Sequence, residues 1–517
     1  MKADYDIAIV GSGFAGSLLA RLLARAGRSV VLIESAKHPR FALGESSTPL
    51  AAIALERMAH RYGIDELAQF ASYGRWQATQ PELGCGLKRG FSYYGHALGQ
   101  SYQNDQYNSH RFLVAASPSD ALADLHWVRA DVDARFAQRA VDDGVTLLEQ
   151  HRLIDLRENE HTIDLRVQCA QGERQVHAAF VVDASGGAVA DALCIPSIAT
   201  CANPTTLVYG HFAGVQPFMG SNSSAPYPEF AAANHHVFDG GWIYLLPFDD
   251  GRVSVGAVLE AEPTHDQAQR AWLDALAQVP SLAVCFNQAT AVESIALGQR
   301  KFTRQRRSQA SGKRWAMLPH AYAFQDPMFS TGIAWSLLAV ERLVEVLGLN
   351  AIAPLQAALL QPGLQRYAEL LATEASHTAA LCAGARALYG DFDRFVEWAK
   401  LYFIAASYSE ARLRIVDPPD ACWEGFLGST DPHLQGLYER AKPWFNGDLK
   451  SIRTRMHEQL QIRDVGGFVG ATPQRLMAVD FDALIAAAPK LGLSGDSLRA
   501  RLPQILRGQW RPAYSQT

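Results

Sequence analysis

The sequence is poor in features that staple, anchor or electrostatically mark a protein. Its 7 cysteines are odd in number, fall at 85, 169, 194, 201, 285, 382 and 422, and form no CxxC pair, so neither a disulfide framework nor a zinc site is expected. No run of 18 apolar residues occurs, which argues against a membrane-spanning helix. Neither sign of charge dominates: 47 basic against 52 acidic side chains leave a net charge of -5, with no broad footprint for nucleic acid or an anionic membrane. No internal repeat or low-complexity tract is present. A strand pattern already begins near Tyr5 and leaves no room for a signal peptide, so the expected compartment is the cytoplasm. What the chain does have is apolar mass, 517 residues that are 48% hydrophobic and 10% aromatic. That bulk suits one large enzyme domain with insertions, or roughly three lobes.

The first 35 residues carry the strongest local signal. DIAIVGSG is a β-branched run ending in glycines, FAGSLLARLLARAG a helix pattern closed by glycine, and VVLIES a second buried strand. Gly11, Gly13 and Gly16 complete a GxGxxG at the strand-to-helix turn. The first glycine permits the tight turn, the second lets backbone amides reach a pyrophosphate, and the third lets the helix approach the strand. Glu34 ends the second strand, where an acid accepts hydrogen bonds from an adenosine ribose. A bound dinucleotide is the expectation.

The chain then leaves the simple alternation for a turn-rich segment, AKHPRFALGESSTPL, containing Pro39, Gly44 and Pro49. Further on, QVHAAFVVDASGG reads as a strand ending in Asp183, Ser185, Gly186 and Gly187, a second backbone turn for the cofactor. WVRADVDARF (127–136) reads as a strand-to-helix boundary with Asp131 as N-cap. Residues 204–262 hold short alternating runs that suit the strands of a substrate wall, and from about 364 onward the pattern is helical, which puts a boundary near Pro362. The basic run QRKFTRQRR (299–307) reads as a solvated loop. His235 and His236 are adjacent on one strand and point to opposite faces, so no metal pair is expected. Lys88 and Arg89 interrupt a glycine- and aromatic-rich stretch, GCGLKRGFSYY, with Arg89 assigned to solvent; Phe91 and Tyr93 share one strand face and Tyr94 takes the other.

GSGFAG, HPRFALGESSTP, GCGLKRGFSYY, WVRADVD, VVDASG, GGWIYLLPF and QDPMFSTGI stand in an order and spacing that resemble the flavin-dependent halogenases, within the wider group of single-component flavin hydroxylases, from residue 5 to about 345. The likeness is to the enzymes acting on phenols and pyrroles, because Phe329 stands before the SxG where tryptophan halogenases carry a glutamate. The resemblance implies a fold of class α/β plus α: a Rossmann-like FAD-binding domain (1–362) with an inserted β-sheet substrate wall (204–262), and a mainly helical C-terminal region (363–517). It implies that FAD is held by Gly11, Gly13, Phe14, Ala15, Gly16, Glu34, Arg40, Ser46, Ser47, Arg129, Asp183, Asp326, Gly332 and Ile333. Chloride or bromide would sit on the amides of Thr331 and Gly332, with Asp326 and Pro327 shaping the turn before them. FADH2, O2 and halide would give hypohalous acid, relayed to Lys88 at the far end of a tunnel bounded by Phe91, Tyr93, Trp242, Tyr244, Pro247 and Phe329.

Two departures stand out. The family's WxWxIP is WIYLLP here, with Tyr244 and Leu246 replacing tryptophan and isoleucine. Leu318 and Pro319 stand where relatives have a GDA-type segment against the flavin, leaving His320 as the polar residue available. No second complete GxGxxG is framed by strand and helix, so reducing equivalents are expected from a separate flavin reductase. The expected substrate is a small, free, electron-rich aromatic, with neither nucleic acid nor membrane as partner and a monomer or dimer as the assembly. An aromatic monooxygenase on the halogenase scaffold, and a flavoprotein that senses redox state without turnover, are the other readings of these residues.

Overall fold

A computed structural model describes residues 3–200, 204–218, 225–260, 267–292, 297–302, 304–348, 355–470 and 474–507. Strand Tyr5–Val10 is the nucleus of the first sheet: its last four residues are buried, as a central parallel strand covered on both faces requires. Beside it lie Val30–Ile33 and then Thr146–Leu148 on one side and the end of Gly172–Asp183 on the other, all parallel, with Trp315–Met317 completing the parallel set. The exposed first half of Gly172–Asp183 instead runs antiparallel into Ile163–Cys169 and Arg152–Glu158. Helix Phe14–Arg25 packs its apolar stripe on this sheet and against helix Arg129–Asp142. Asp131 is not the cap of that second helix: Val128 holds the cap position and Asp131 sits in the first turn, where its charge suits the helix dipole and its Oδ2 accepts from the Gly84 amide at 3.3 Å.

Residues 204–262 contribute strands, as expected, to a second sheet that is larger than the sequence indicates. Thr205–Ala213, Arg252–Leu259, Gly241–Pro247 and Ala233–Phe238 form an antiparallel run within 204–262, whose last two residues lie outside the described ones. Gly90–Gly95 joins it parallel to Ala233–Phe238, followed by Arg111–Ala115 and by Leu476–Met477 from the far end of the chain. The basic run is not a solvated loop. Gly298–Phe302 pairs with Thr205–Ala213, Gln305–Arg307 pairs with Ser197–Ala199, and Arg304 is buried against Asp326 at 2.6 Å.

Helices dominate from Ala357 onward, and Pro362 lies inside the helix Ala357–Arg386. That helix is tied to the helix Gly332–Gly348 by a fully buried ion pair, Arg342 to Glu374 at 2.7 Å. Glu374 also accepts from Trp335 Nε1 at 2.8 Å and from the Phe426 amide at 2.7 Å, so one carboxylate holds three segments. Among the described residues no helix is long and apolar enough to cross a membrane. Glu374→Ala should cost about 3–5 kcal/mol, because it strands a buried guanidinium; urea denaturation of wild type and variant checks this, with Glu374→Gln expected to lose less.

Candidate active site

The GxGxxG turn is built as its glycines require. Gly11 has φ +104, and a Cβ there would lie 2.5 Å from the Ala184 carbonyl oxygen, so only glycine lets the two strand ends meet. Ser12 turns back to Glu34, whose Oε2 accepts from its amide at 3.1 Å and its hydroxyl at 2.9 Å. Glu34 also accepts from the Ala36 amide at 2.9 Å and pairs with Arg40 at 2.8 Å. Burial alone would raise the Glu34 carboxyl, but the Arg40 guanidinium and the two amides outweigh it and hold it down at about 2.

Asp133, fully buried, is the hub that sequence reasoning missed. Its carboxylate accepts from the Phe14 amide at 3.0 Å and from Arg129 at 2.9 and 3.0 Å, with Arg40 3.4 Å away. Arg129 also donates to the carbonyls of Leu43 and Gly44 and lies over the Phe14 ring at 4.7 Å. Both arginines thus frame the space above Gly13, where a Cβ would stand 3.6 Å from Arg129 and 3.9 Å from Arg40. The signal for Asp133 was present in WVRADVD: it lies one helical turn beyond Arg129.

From this turn a cavity of about 1170 Å³ runs across the molecule. Near the turn it is lined by Gly11, Gly13, Phe14, Ala15, Gly16, Glu34, Arg40 and Arg129, and farther on by Asp326, Thr331, Gly332 and Ile333 with Ser46, whose hydroxyl is 3.2 Å from that of Ser330. Trp242, Tyr244 and His235 supply the wall. Two residues assigned to the cofactor stand elsewhere. Asp183 is fully buried and turns inward, accepting from Ser185 and the Ala190 amide; its neighbours Ala184, Ser185 and Gly186 line the cavity instead. Ser47 exchanges hydrogen bonds with Leu125 and sits on the far side of the backbone from Ser46.

At the distal end a helix start lines the cavity. Asp326 caps the short turn Pro327–Phe329 by accepting from the Met328 amide at 3.0 Å, and Arg304 secures it. Ser330 at φ +52 redirects the chain so that Thr331 and Gly332 begin the helix Gly332–Gly348, whose first amides have no intrahelical partner. His320 stands beside them: its Nε2 would be 2.9 Å from a Cβ on Gly332, which excludes any larger residue there. Desolvation, then the charge of Arg129, lowers His320 to about 4, so it faces the cavity as a neutral imidazole.

Lys88 is neither on the surface nor in the cavity lining. It is 0% exposed, at the end of strand Cys85–Lys88, which pairs antiparallel with Asp124–Trp127. The strand presses so closely on the wall that a Cβ on Gly86 would lie 1.9 Å from the Pro247 carbonyl oxygen. Lys88 Nζ donates to the Ser47 carbonyl at 2.6 Å and rests 4.0 Å from the centre of the Phe91 ring. Burial lowers its pKa to about 7, with the charge of Asp124 opposing. Phe91 stacks near His235 (5.9 Å), as does Tyr93 (4.6 Å), and His235 stacks on Trp242 (5.5 Å), so contact passes from the cavity wall to the lysine through aromatic rings. Tyr94 faces the other way, toward Phe218 and His236. Phe91, Tyr93, Pro247 and Phe329 do not line the cavity; Phe329 is packed against Tyr402 at 4.8 Å. Arg89 does not face solvent, because Asp120 at 2.6 Å and the Ser117 carbonyl hold it.

The family described as FAD dependent oxidoreductase matches residues 6–294. The monodechloroaminopyrrolnitrin halogenase PrnC of Pseudomonas fluorescens is 28% identical over 361 residues, 66% of this chain and 60% of that protein. The tetracycline 7-halogenase of Kitasatospora aureofaciens is 27% identical over 377 residues, 65% of this chain and 64% of its own length. The chain thus matches less than two thirds of the length of either relative. Among solved structures, halogenase PltM in complex with phloroglucinol and FAD superposes with a TM-score of 0.78 at 20% identity, covering 89% of this chain and 96% of that one. The flavin-dependent brominase Bmp2 gives 0.60 at 18% identity, with 86% and 99% covered. At these identities the structural likeness establishes the fold.

Gly13→Val should leave the purified protein without flavin, since the side chain would occupy the space between Arg40 and Arg129; yellow protein at full occupancy would exclude this turn as the cradle. Arg129→Ala should weaken flavin affinity by about 1.5–3 kcal/mol, the worth of a charge-assisted hydrogen bond, measured by fluorescence titration.

Proposed function

Because the chain belongs to the family of FAD dependent oxidoreductases, with FAD as its cofactor, we propose that it is a flavin-dependent halogenase. It would install chlorine or bromine on a small, free, electron-rich aromatic ring of the phenol, resorcinol or pyrrole type, with a separate reductase supplying FADH2. The observation that carries this reading is Lys88: a charged side chain buried completely, held by one carbonyl and one ring face, and joined to the cavity wall by His235 and Trp242. Burying an ammonium without a contacting carboxylate is costly, and such a group is a functional candidate by that fact.

The cradle fits FAD. The Gly11–Gly16 turn, Arg40 and Arg129 would hold the pyrophosphate, and Ser46, Asp326, Gly332 and Ile333 the flavin end. When bound and reduced, FAD would supply the chemistry that turns halide and O2 into hypohalous acid. The amides of Thr331 and Gly332 would bind the halide, and the low pKa of His320 keeps a neutral imidazole there. Trp242 and Tyr244 would hold the aromatic substrate away from the flavin, and Lys88 would hydrogen-bond the hypohalous acid where the substrate waits. Ring C–H is then exchanged for C–X, the ring proton and the hydroxyl leaving together as water. A dry aromatic enclosure keeps the oxidant from hydrolysis while it acts.

Tyr244 in the wall favours a second reading, an aromatic monooxygenase on the same scaffold, because its hydroxyl makes the barrier more polar than tryptophan would. Mass spectrometry of products from FAD, reductase, NADH, bromide and a phenol panel separates the two: brominated product supports the first reading, and hydroxylated product with no halide requirement replaces it. Lys88→Ala should eliminate halogenated product while flavin still binds and is reoxidised by O2, since the electrophile is no longer positioned. Lys88→Arg should fail as well, because a planar fork cannot occupy a fully packed site shaped for an ammonium. Halogenation by Lys88→Ala at the wild-type rate would remove Lys88 from the reaction.

A further inference from the structure

Lys88 and Asp124 are directly paired in register across the two-stranded ribbon Cys85–Lys88 with Asp124–Trp127. Both are buried, at 0% and 4% exposure. They do not touch. Lys88 Nζ donates instead to the Ser47 carbonyl, and Asp124 Oδ2 has no hydrogen-bond partner. A carboxylate placed opposite a buried ammonium would ordinarily close on it. Here it stops short, and the chemistry of Lys88 gains from that gap. An ammonium has three donors. One is spent on Ser47, and a contacting carboxylate would take another and hold the group away from any incoming electrophile.

We propose that Asp124 is a positioning residue that keeps Lys88 protonated by its charge across the strand pair, without contact, so that the remaining Nζ donors stay available. This rests on the halogenase reading of Lys88. The surrounding groups support it. His126, two residues along the same strand and so on the same face as Asp124, is held at about 3 by burial and then by the Lys88 charge. His235 is held at about 3 for the same two reasons. Both are therefore neutral and leave the ammonium unopposed at working pH. Burial keeps the Tyr402 phenol protonated. Burial raises the Asp124 carboxyl to about 7 against the Lys88 charge, with Glu410 and Arg414 acting in opposite senses, so its charge is in place on the alkaline side, where Lys88 would otherwise lose its proton. Among the groups around Lys88, Asp124 is the one whose charge raises it against desolvation.

The ammonium is present below the Lys88 pKa and lost as pH rises through it. Removing the Asp124 charge lowers that pKa, so the alkaline limb of halogenation must move to lower pH. The experiment measures halogenated product per flavin reoxidised, as a function of pH, for the FAD-loaded wild type, Asp124→Asn and Asp124→Glu with bromide and resorcinol. Asp124→Asn should shift the alkaline limb down by about one pH unit or more, while flavin reoxidation keeps its wild-type profile and Asp124→Glu stays near wild type. A superimposable Asn profile, or a Glu variant shifted as far as Asn, overturns the proposal. Titration of Lys88 Nζ by NMR of isotope-labelled lysine, assigned with Lys88→Met, reads the same shift without turnover. A wild type that halogenates nothing therefore defeats the functional reading, while the lysine titration still decides the role of Asp124. Should Asp124→Asn not fold, the infrared carbonyl band of the protonated Asp124 carboxyl, assigned by its shift in Asp124→Glu, must be gone once pH has risen through about 7; a band that persists on the alkaline side leaves no charge to act on Lys88 and overturns the proposal.

Discussion

The structure depends on an ammonium group taken wholly out of water. Lys88 has no exposed surface and one hydrogen bond, and the elements around it are arranged to make that tolerable. The strand that carries it is short, and the lysine has Gly86 and Gly90 on either side, because the Pro247 carbonyl and the Val114 carbonyl press against those two positions and leave no room for a side chain. The Phe91 ring replaces part of the lost hydration, and the Asp124 charge opposes the desolvation that would otherwise strip the proton. Each of these comes from a different element, so the second sheet, the two-stranded ribbon and the loop through Ser47 must meet before the lysine can be accommodated.

The cavity at the Gly11–Gly16 turn obeys the opposite logic. There charge is concentrated and fully paired: Glu34, Asp133, Arg40 and Arg129 form one network in which every carboxylate accepts from a backbone amide as well as a guanidinium. Such a network is rigid and already solvated by the protein, which suits a site that must bind an anionic dinucleotide without rearrangement. The distal end supplies backbone amides and a neutral imidazole instead of fixed positive charge. The cavity therefore passes from strongly paired charge at the turn to weak, directional donors at Thr331 and Gly332, and beyond its wall at Trp242 the rings of His235, Phe91 and Tyr93 pack toward Lys88.

Much of this was legible in the sequence, and the reason differs by element. The Gly11–Gly16 turn is readable because its glycines answer a local steric demand and the flanking apolar runs fix the strand and helix. Lys88 was found through resemblance, and its burial was not readable, since the packing comes from residues as distant as Ser47 and Pro247, 41 and 159 positions away. Asp183 was misplaced because an aspartate at a strand end looks the same whether it serves a ligand or its own turn. Ser46 and Ser47 differ only in which side of an extended backbone each occupies. The basic run deceived because its arginines are taken up by carboxylates of other elements, Arg304 by the buried Asp326 and Arg307 by Asp191 at the surface. Asp124 and His320 carry no motif, and their meaning lies in what the fold brings beside them.

The central claim is that oxidant made at one end of the cavity is used at Lys88 without leaving the protein. The most direct measurement is the yield of brominated product per flavin reoxidised while methionine, a scavenger of hypohalous acid, is added to the solution at increasing concentration. If the relay is enclosed, the yield stays constant as methionine is raised well above the aromatic substrate. If the yield falls toward zero with methionine sulfoxide appearing in its place, the oxidant passes through bulk water and the role given to Lys88 is wrong.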